Sequence, residues 1–484
     1  MTPAAQCRPL SLSLSLSINT FHGAVAEHLP FDNTYHPQLA MATKLMTTLA
    51  IIAALMASAI ADGTSVFSNS SAGAFRLPLF ANQGRDHTIR RGTDGFLYLQ
   101  QHSLTMASTA NTTNLIRPQF IHSTSAHFGT GQAKQTYILA LDATGILTWI
   151  QCIPCSPAAT QRGPLFNPVL SPTFQHVHYT NRICRSSPQL TPDPVSQRCN
   201  LSIFRQGRLW VQGVFATDQC IRSDGHVFPQ FKFGCVHQTR LFPNYNMYAG
   251  IAAYRPVAMQ AAAEHGLTRS SYCLFRETNR QGFLRFGAEA YVPHMPHYQT
   301  TRLLPMVHDA NESAYHVSLV GVSLGGRRLN GVRPETFALR GDAQGGCIID
   351  LGTPLTVMVE TAYRVMEEAV WSNLERHDAE RVEQDAYGLC VRATEAIKGR
   401  LQPLLLHFAG EEEEEATLVV SPKELFLMMD DGQAEQVACL AMVPGRRTII
   451  GALQQVDTRF VFDLKENKVS FAPESCIEDT IPVD

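Results

Sequence analysis

Two apolar segments of this 484-residue chain end alike. "YILALDATG" carries an apolar run into Asp142 and a turn of small residues, and "GCIIDLGTPLT" repeats the design at Asp350 much later in the chain. An acid at the end of one strand is ordinary. Two with matching surroundings form a candidate pair, because carboxylates brought face to face cannot comfortably both stay ionised and share a proton instead. One then acts as base toward a bound water while the other polarises a carbonyl, which is peptide hydrolysis without a covalent intermediate.

That chemistry requires two rigid strand ends, one from each of two lobes. Short runs rich in Val, Ile, Leu, Phe and Tyr recur between Gly, Pro and Asn breaks, so the chain reads as mainly β. "RFVFDLKENKVSFAP" alternates on both sides of a turn near Glu466 and Asn467, the pattern of a hairpin. Helical patterns are few, and the clearest is "ETAYRVMEEAVWSNLERH" from Glu360 onward. With 45% hydrophobic and 17% charged residues the chain can bury a large core, and its length suggests two or three compact units. A formal net charge of -3 and the lack of a long basic stretch argue against a nucleic-acid or polybasic membrane partner. The acidic run Glu411 to Glu415 reads as a solvated loop.

Rival chemistries are weaker. "GVSLG" at 321–325 matches Gly-x-Ser-x-Gly around Ser323, but the nucleophile elbow needs a strand, a sharp turn and a helix, and an extended stretch follows here instead. His176 with His178, or His294 with His297, lacks the carboxylate or Cys that would complete a familiar metal-binding spacing. There is no phosphate-cradling Gly loop or cofactor fingerprint, so neither cofactor nor metal is expected.

The N-terminal region reads as a targeting segment. Residues 1–40 form an unstructured upstream extension, and 41–61 a secretory signal, with Lys44, an apolar run from Leu45 to Met56, and small residues at Ala59 and Ala61. The run is too short for a membrane anchor. Secretion, to the extracellular space or a vacuole, permits disulfides. Of twelve cysteines, Cys7 precedes the signal and eleven remain, so at least one is expected to be unpaired. Sequons at Asn69, Asn111, Asn200 and Asn311 suit the same compartment.

Seven segments occur in the order seen in plant nepenthesin-like aspartic proteases: "FGTGQAKQTYILALDATGILTWIQCIPC", "FKFGC", "SSYCLF", "VSLVGVSLGGRRL", "GGCIIDLGTPLTVMVETAY", "CLAMV" and "TIIGALQQVDTRFVFDLKENKVSFAPESC". The mature chain resembles that family, whose scaffold is shared by cereal xylanase inhibitors that do not cleave peptides. The resemblance implies a bilobal pepsin-like fold, with two β-rich lobes flanking an active cleft. It further implies a prosegment-like region at 62–118, an N-terminal lobe at 119–300 and a C-terminal lobe at 301–484, in a protein expected to be a monomer.

The family motif is altered in this chain. Where the family has Asp-Thr-Gly-Ser-Asp-Leu-Thr-Trp, positions 142–149 read Asp-Ala-Thr-Gly-Ile-Leu-Thr-Trp. Ala143 lacks the hydroxyl that joins the family's interlobe lattice, and Leu351 replaces its Ser on the other lobe. Gly352 and Thr353 remain beside Asp350, while Thr144 and Gly145 hold the matching places near Asp142, so the turn glycine is displaced by one. Arg205 falls where the flap Tyr of the family sits, and its charge would favour two ionised carboxylates; Phe204 and Trp210 are alternative covers for the cleft. The apolar-apolar-Gly motif is "IIG" at 449–451 but Ile251-Ala252-Ala253 in the first lobe. Tyr179 stands where the family usually has Cys, and Cys220 and Cys347 are additions, the latter read as an inert core thiol. Two functions are therefore expected in competition: a secreted aspartic endopeptidase of weakened activity acting on a protein or peptide, and an impaired pseudo-protease that binds a peptide or inhibits a glycoside hydrolase.

Overall fold

The computed structural model describes residues 74–484, apart from 82–86, 102–121, 206–208, 222–226, 241–247, 278, 291–297, 306–312, 341–344, 385–386, 412–413, 431–435 and 483–484. The upstream extension and the signal segment expected at 1–61 lie outside the described residues, as do Asn69, Asn111, Asn311, His294 and His297.

The architecture is mainly β and two-lobed, and one large sheet runs through it. Near one end of it the second-lobe hairpin Thr458–Asp463 and Lys468–Pro473 joins the first-lobe strand Arg269–Cys273, with Arg269 opposite Asp463 and Cys273 opposite Arg459. The Cys273–Cys476 disulfide closes the same seam. Aromatic rings pack it from inside: Tyr272 stacks on Phe460 at 5.6 Å and Tyr315 on Phe462 at 4.4 Å. The hairpin turns where alternation placed it, with Asn467 in the left-handed region at φ 51°.

Ala74–Ala81, inside the region read as prosegment-like, is woven into this sheet between Arg280–Gly287 and His122–Phe128. The hairpin His87–Arg91 and Leu97–Gln101 adds to a different sheet, with Leu97 beside Leu427. Arg91 ties it there through Glu424 at 3.1 Å and Asp457 at 2.6 Å.

Period-two alternation builds the outer sheet of the second lobe. On Leu319–Leu324, Leu404–Ala409 and Glu415–Val420, the residues Val322, Leu324, Leu404, Leu406, Phe408, Ala416, Leu418 and Val420 are buried. Two helices matter to the site. Glu360–Glu375 buries Ala362, Tyr363, Met366, Val370 and Leu374 at helical spacing. Tyr254–His265, for which the sequence shows no clear helical pattern, buries Tyr254, Val257, Ala258 and Ala261 and ends at Gly266 with φ 67°.

Candidate active site

Each acid closes a strand laid parallel to a second strand. Gln135–Asp142 runs beside Gly250–Ala253, with Ala253 opposite Asp142. Cys347–Ile349 runs beside Thr448–Ile450, and the Asp350 N–H donates to the Ile450 carbonyl at 3.0 Å. Six residues beyond each acid stands a buried threonine with the same duty. Thr148 Oγ1 accepts from Ala253 N–H at 3.1 Å, and Thr356 Oγ1 accepts from Gly451 N–H at 2.9 Å. These two threonines are missing from the expectations drawn above, although their signal is plain once "DATGILT" and "DLGTPLT" are set in register. A buried N–H without an acceptor is costly, so each hydroxyl pins a neighbouring strand to its acid-bearing loop.

The two carboxylates are almost fully buried, Asp142 at 1% and Asp350 at 2% exposure. At Asp350 the donors are spread over both oxygens. Gly352 N–H donates to Oδ1 at 2.9 Å and Thr353 Oγ1 to Oδ2 at 2.6 Å. At Asp142 the corresponding donors converge, because Thr144 directs its N–H (2.8 Å) and its hydroxyl (2.7 Å) to the same Oδ1. The loops touch across the lobes. Ala143 N–H donates to Asp350 Oδ1 at 3.0 Å, and a Cβ on Gly352 would lie 2.8 Å from both Asp142 Cα and the Leu141 carbonyl oxygen. Burial pushes the Asp350 carboxyl up to about 6, the Asp142 charge adds to the rise, and the three donors oppose it. A carboxyl of this kind keeps its proton into mildly acidic solution beside a second acid.

The losses at Ala143 and Leu351 are therefore losses of hydroxyls only. Both side chains are buried, and the crossing between the loops is made by the Ala143 backbone amide instead. The displaced glycine also has a local partner. A Cβ on Gly145 would stand 2.8 Å from the Ala253 methyl, so Gly145 and Ala253 fit one another. In the second lobe Gly451 is itself the crowded residue, since its Cβ would stand 2.5 Å from the Leu355 carbonyl carbon.

The residues expected to form a flap lie on a hairpin of Arg198–Arg205 and Leu209–Ile221, with Phe204 opposite Trp210. Phe204 is 58% exposed, and the Trp210 ring receives the Arg240 guanidinium at 5.2 Å. The Arg205 side chain lies outside the described residues. Asn200 is on the same hairpin, its amide donating to Asp193 Oδ2 at 3.2 Å. His176 packs against Phe174 and His178 bonds Thr180; among the described residues no group of His, Cys, Asp or Glu is arranged to hold a metal.

Ser323 has partners that no local motif reveals. Its Oγ lies 2.7 Å from His407 Nε2, and His407 Nδ1 lies 3.4 Å from Glu415 Oε2. The chemistry of a serine nucleophile is nevertheless lacking: Ser323 sits within the strand Leu319–Leu324, is 3% exposed, and precedes a two-glycine turn into Arg327–Arg328 rather than a helix. Arg328 further occupies both oxygens of Glu415, at 2.8 and 2.7 Å.

Four disulfides join Cys152 to Cys235, Cys184 to Cys199, Cys273 to Cys476 and Cys390 to Cys439. Among the described residues Cys155 and Cys347 are outside these disulfides, and Cys220 is buried. Cys347, in the strand leading to Asp350, is fully buried and its thiol is pushed far above its ordinary range by that burial.

Two lobes, each presenting a buried acid on a strand-end loop, define the pepsin-like aspartic protease class. Residues 124–288 match the family described as xylanase inhibitor N-terminal, and 314–473 match xylanase inhibitor C-terminal. The chain belongs to the family that these two domains describe, on a scaffold it shares with plant nepenthesin-like aspartic proteases. Aspartic proteinase nepenthesin-2 of Nepenthes gracilis is 26% identical over 357 residues, covering 72% of this chain and 76% of its own. Aspartyl protease family protein 2 of Arabidopsis thaliana is 25% identical over 361 residues, covering 72% and 70%. The crystal structure of edgp superposes with a TM-score of 0.62 at 17% identity, over 85% of this chain and 98% of that one. Basic 7S globulin from soybean does so at 0.55 and 18%, over 84% and 96%; at such identities these two show the fold alone.

Proposed function

We propose that the protein is a pepsin-like aspartic endopeptidase of weakened activity, with Asp142 and Asp350 sharing one proton and activating a bound water toward a peptide carbonyl. The observation that carries this reading is the Ala143 N–H bond to Asp350, which couples the two acid-bearing loops although the hydroxyl lattice is gone. Weak turnover follows from the first lobe, where both Thr144 donors converge on one oxygen of Asp142. That same asymmetry, with the match to xylanase inhibitor families, favours a second reading as a binding protein for a peptide or a glycoside hydrolase. Cleavage of a denatured protein between about pH 3 and 7, with and without a statine inhibitor, separates the two. Acid-only, statine-sensitive cleavage supports the peptidase; statine binding without cleavage supports the binding protein.

The four disulfides support a secreted destination. We further propose processing after Ala61, a prosegment-like 62–118, and lobes dividing near residue 300. N-terminal sequencing of secreted protein checks the first point, and residues 1–40 on that material would count against it.

A further inference from the structure

The Asp142 loop has a second tie across the lobes, away from the carboxylates. The Thr144 carbonyl accepts from Ser313 N–H at 3.1 Å. The Ser313 hydroxyl lies 3.2 Å from Arg255 Nη1, and the Arg255 guanidinium covers the Tyr315 ring at 5.3 Å. Each participant is fixed by the active-site frame. Arg255 is the second residue of the helix that follows Ala253, the residue opposite Asp142. Tyr315 opens the strand Tyr315–Val317, in which it lies opposite Ile349, the residue before Asp350. Tyr315 is also locked by Phe462 in the seam between lobes.

From this geometry we propose that Arg255, acting through Ser313, is a positioning residue for Asp142. The clamp holds the Thr144 peptide from behind, so that the Thr144 N–H and hydroxyl stay aimed at Asp142 Oδ1. It supplies by a cation stacked on an aromatic ring, and by a backbone bond, the interlobe restraint that Ala143 and Leu351 cannot. As a statement about catalysis it rests on the peptidase reading; as a statement about the loop it stands without it.

The test uses the full chain with Arg255→Met, Arg255→Lys, Ser313→Ala and, as a surface control, Arg364→Met. Hydrogen exchange of the Ala143 to Gly145 amides should quicken about tenfold in both Arg255→Met and Ser313→Ala, because each loses the same bond between the guanidinium and the Ser313 hydroxyl, and one buried hydrogen bond is worth about that much. Arg255→Lys should recover part of the protection, because it keeps charge but not the planar stack. If wild type cleaves peptides, kcat should fall about tenfold in Arg255→Met with KM little changed. Exchange in Arg255→Met no faster than in Arg364→Met overturns the clamp. A wild type without peptidase activity counts only against the peptidase reading, since exchange still decides the clamp.

Discussion

The two acid-bearing loops share a frame and differ in how they hold their carboxylates. Both close a strand on a parallel neighbour, and both fasten that neighbour by a threonine hydroxyl six residues on. Around Asp350 an amide and a hydroxyl serve different oxygens; around Asp142 the Thr144 amide and hydroxyl crowd onto one. The difference teaches that the first loop has been rebuilt as a unit. Gly145 and Ala253 exchange bulk with one another, so undoing either alone should make matters worse.

The largest expected effect tests whether the loops form one catalytic unit at all. Asp142→Asn and Asp350→Asn should each remove acid peptidase activity by roughly a thousandfold or more, because neither acid can do the work of the pair alone. Comparable loss from both marks a dyad, whereas activity surviving in Asp350→Asn, or peaking above neutrality, points to another mechanism.

Next in size is repair. Ala143→Thr, Thr144→Gly, Gly145→Ser and Leu351→Ser restore the family's hydroxyls, but any side chain introduced at position 145 would meet the Ala253 methyl, 2.8 Å from its Cβ. Adding Ala253→Gly should therefore convert a poorly folded variant into one with a gain of about a hundredfold in kcat/KM. No gain from the combined variant, once its melting curve shows it folded, would favour the binding-protein reading.

Smaller effects sharpen the shared frame. Thr148→Val and Thr356→Val each leave a buried N–H without its acceptor and should cost about 1–3 kcal/mol in denaturant unfolding. Equal costs would support equivalent roles in the two lobes. A large cost in only one would show that the resemblance between the loops is superficial.

The smallest effect is electrostatic. Asp350 is raised toward about 6 in the folded state, above its unfolded value of 3.8. Its protonated form thus favours the fold; that contribution is fully present below 3.8 and lost as pH rises through about 6. Asp350→Asn should accordingly raise Tm more at about pH 7.5 than at about pH 3.5. A Tm difference independent of pH would place the origin in packing rather than charge.

Much of this was legible in the chain itself. Apolar runs punctuated by Gly and Pro foretold the β architecture, and the alternation around Glu466 and Asn467 foretold a hairpin, because side-chain period and turn chemistry are local properties. The paired acids and the altered turn beside Asp142 were visible as a near repeat. The helix Tyr254–His265 was harder to see, since three of its buried positions are Val257, Ala258 and Ala261, among more alanines that face elsewhere.

What sequence alone determined, then, was the chemical inventory: two acids on strand ends, no hydroxyl at 143 or 351, and a glycine at 145 in place of 144. Only the tertiary structure decided what compensates for them. The Ala143 amide reaching Asp350, the Ala253 methyl facing Gly145 and the Ser313 bond to Thr144 all join residues far apart in the chain. Backbone donors look identical in every residue's letter, and the space a methyl fills belongs to two distant segments at once, so such contacts exist only after the lobes have packed.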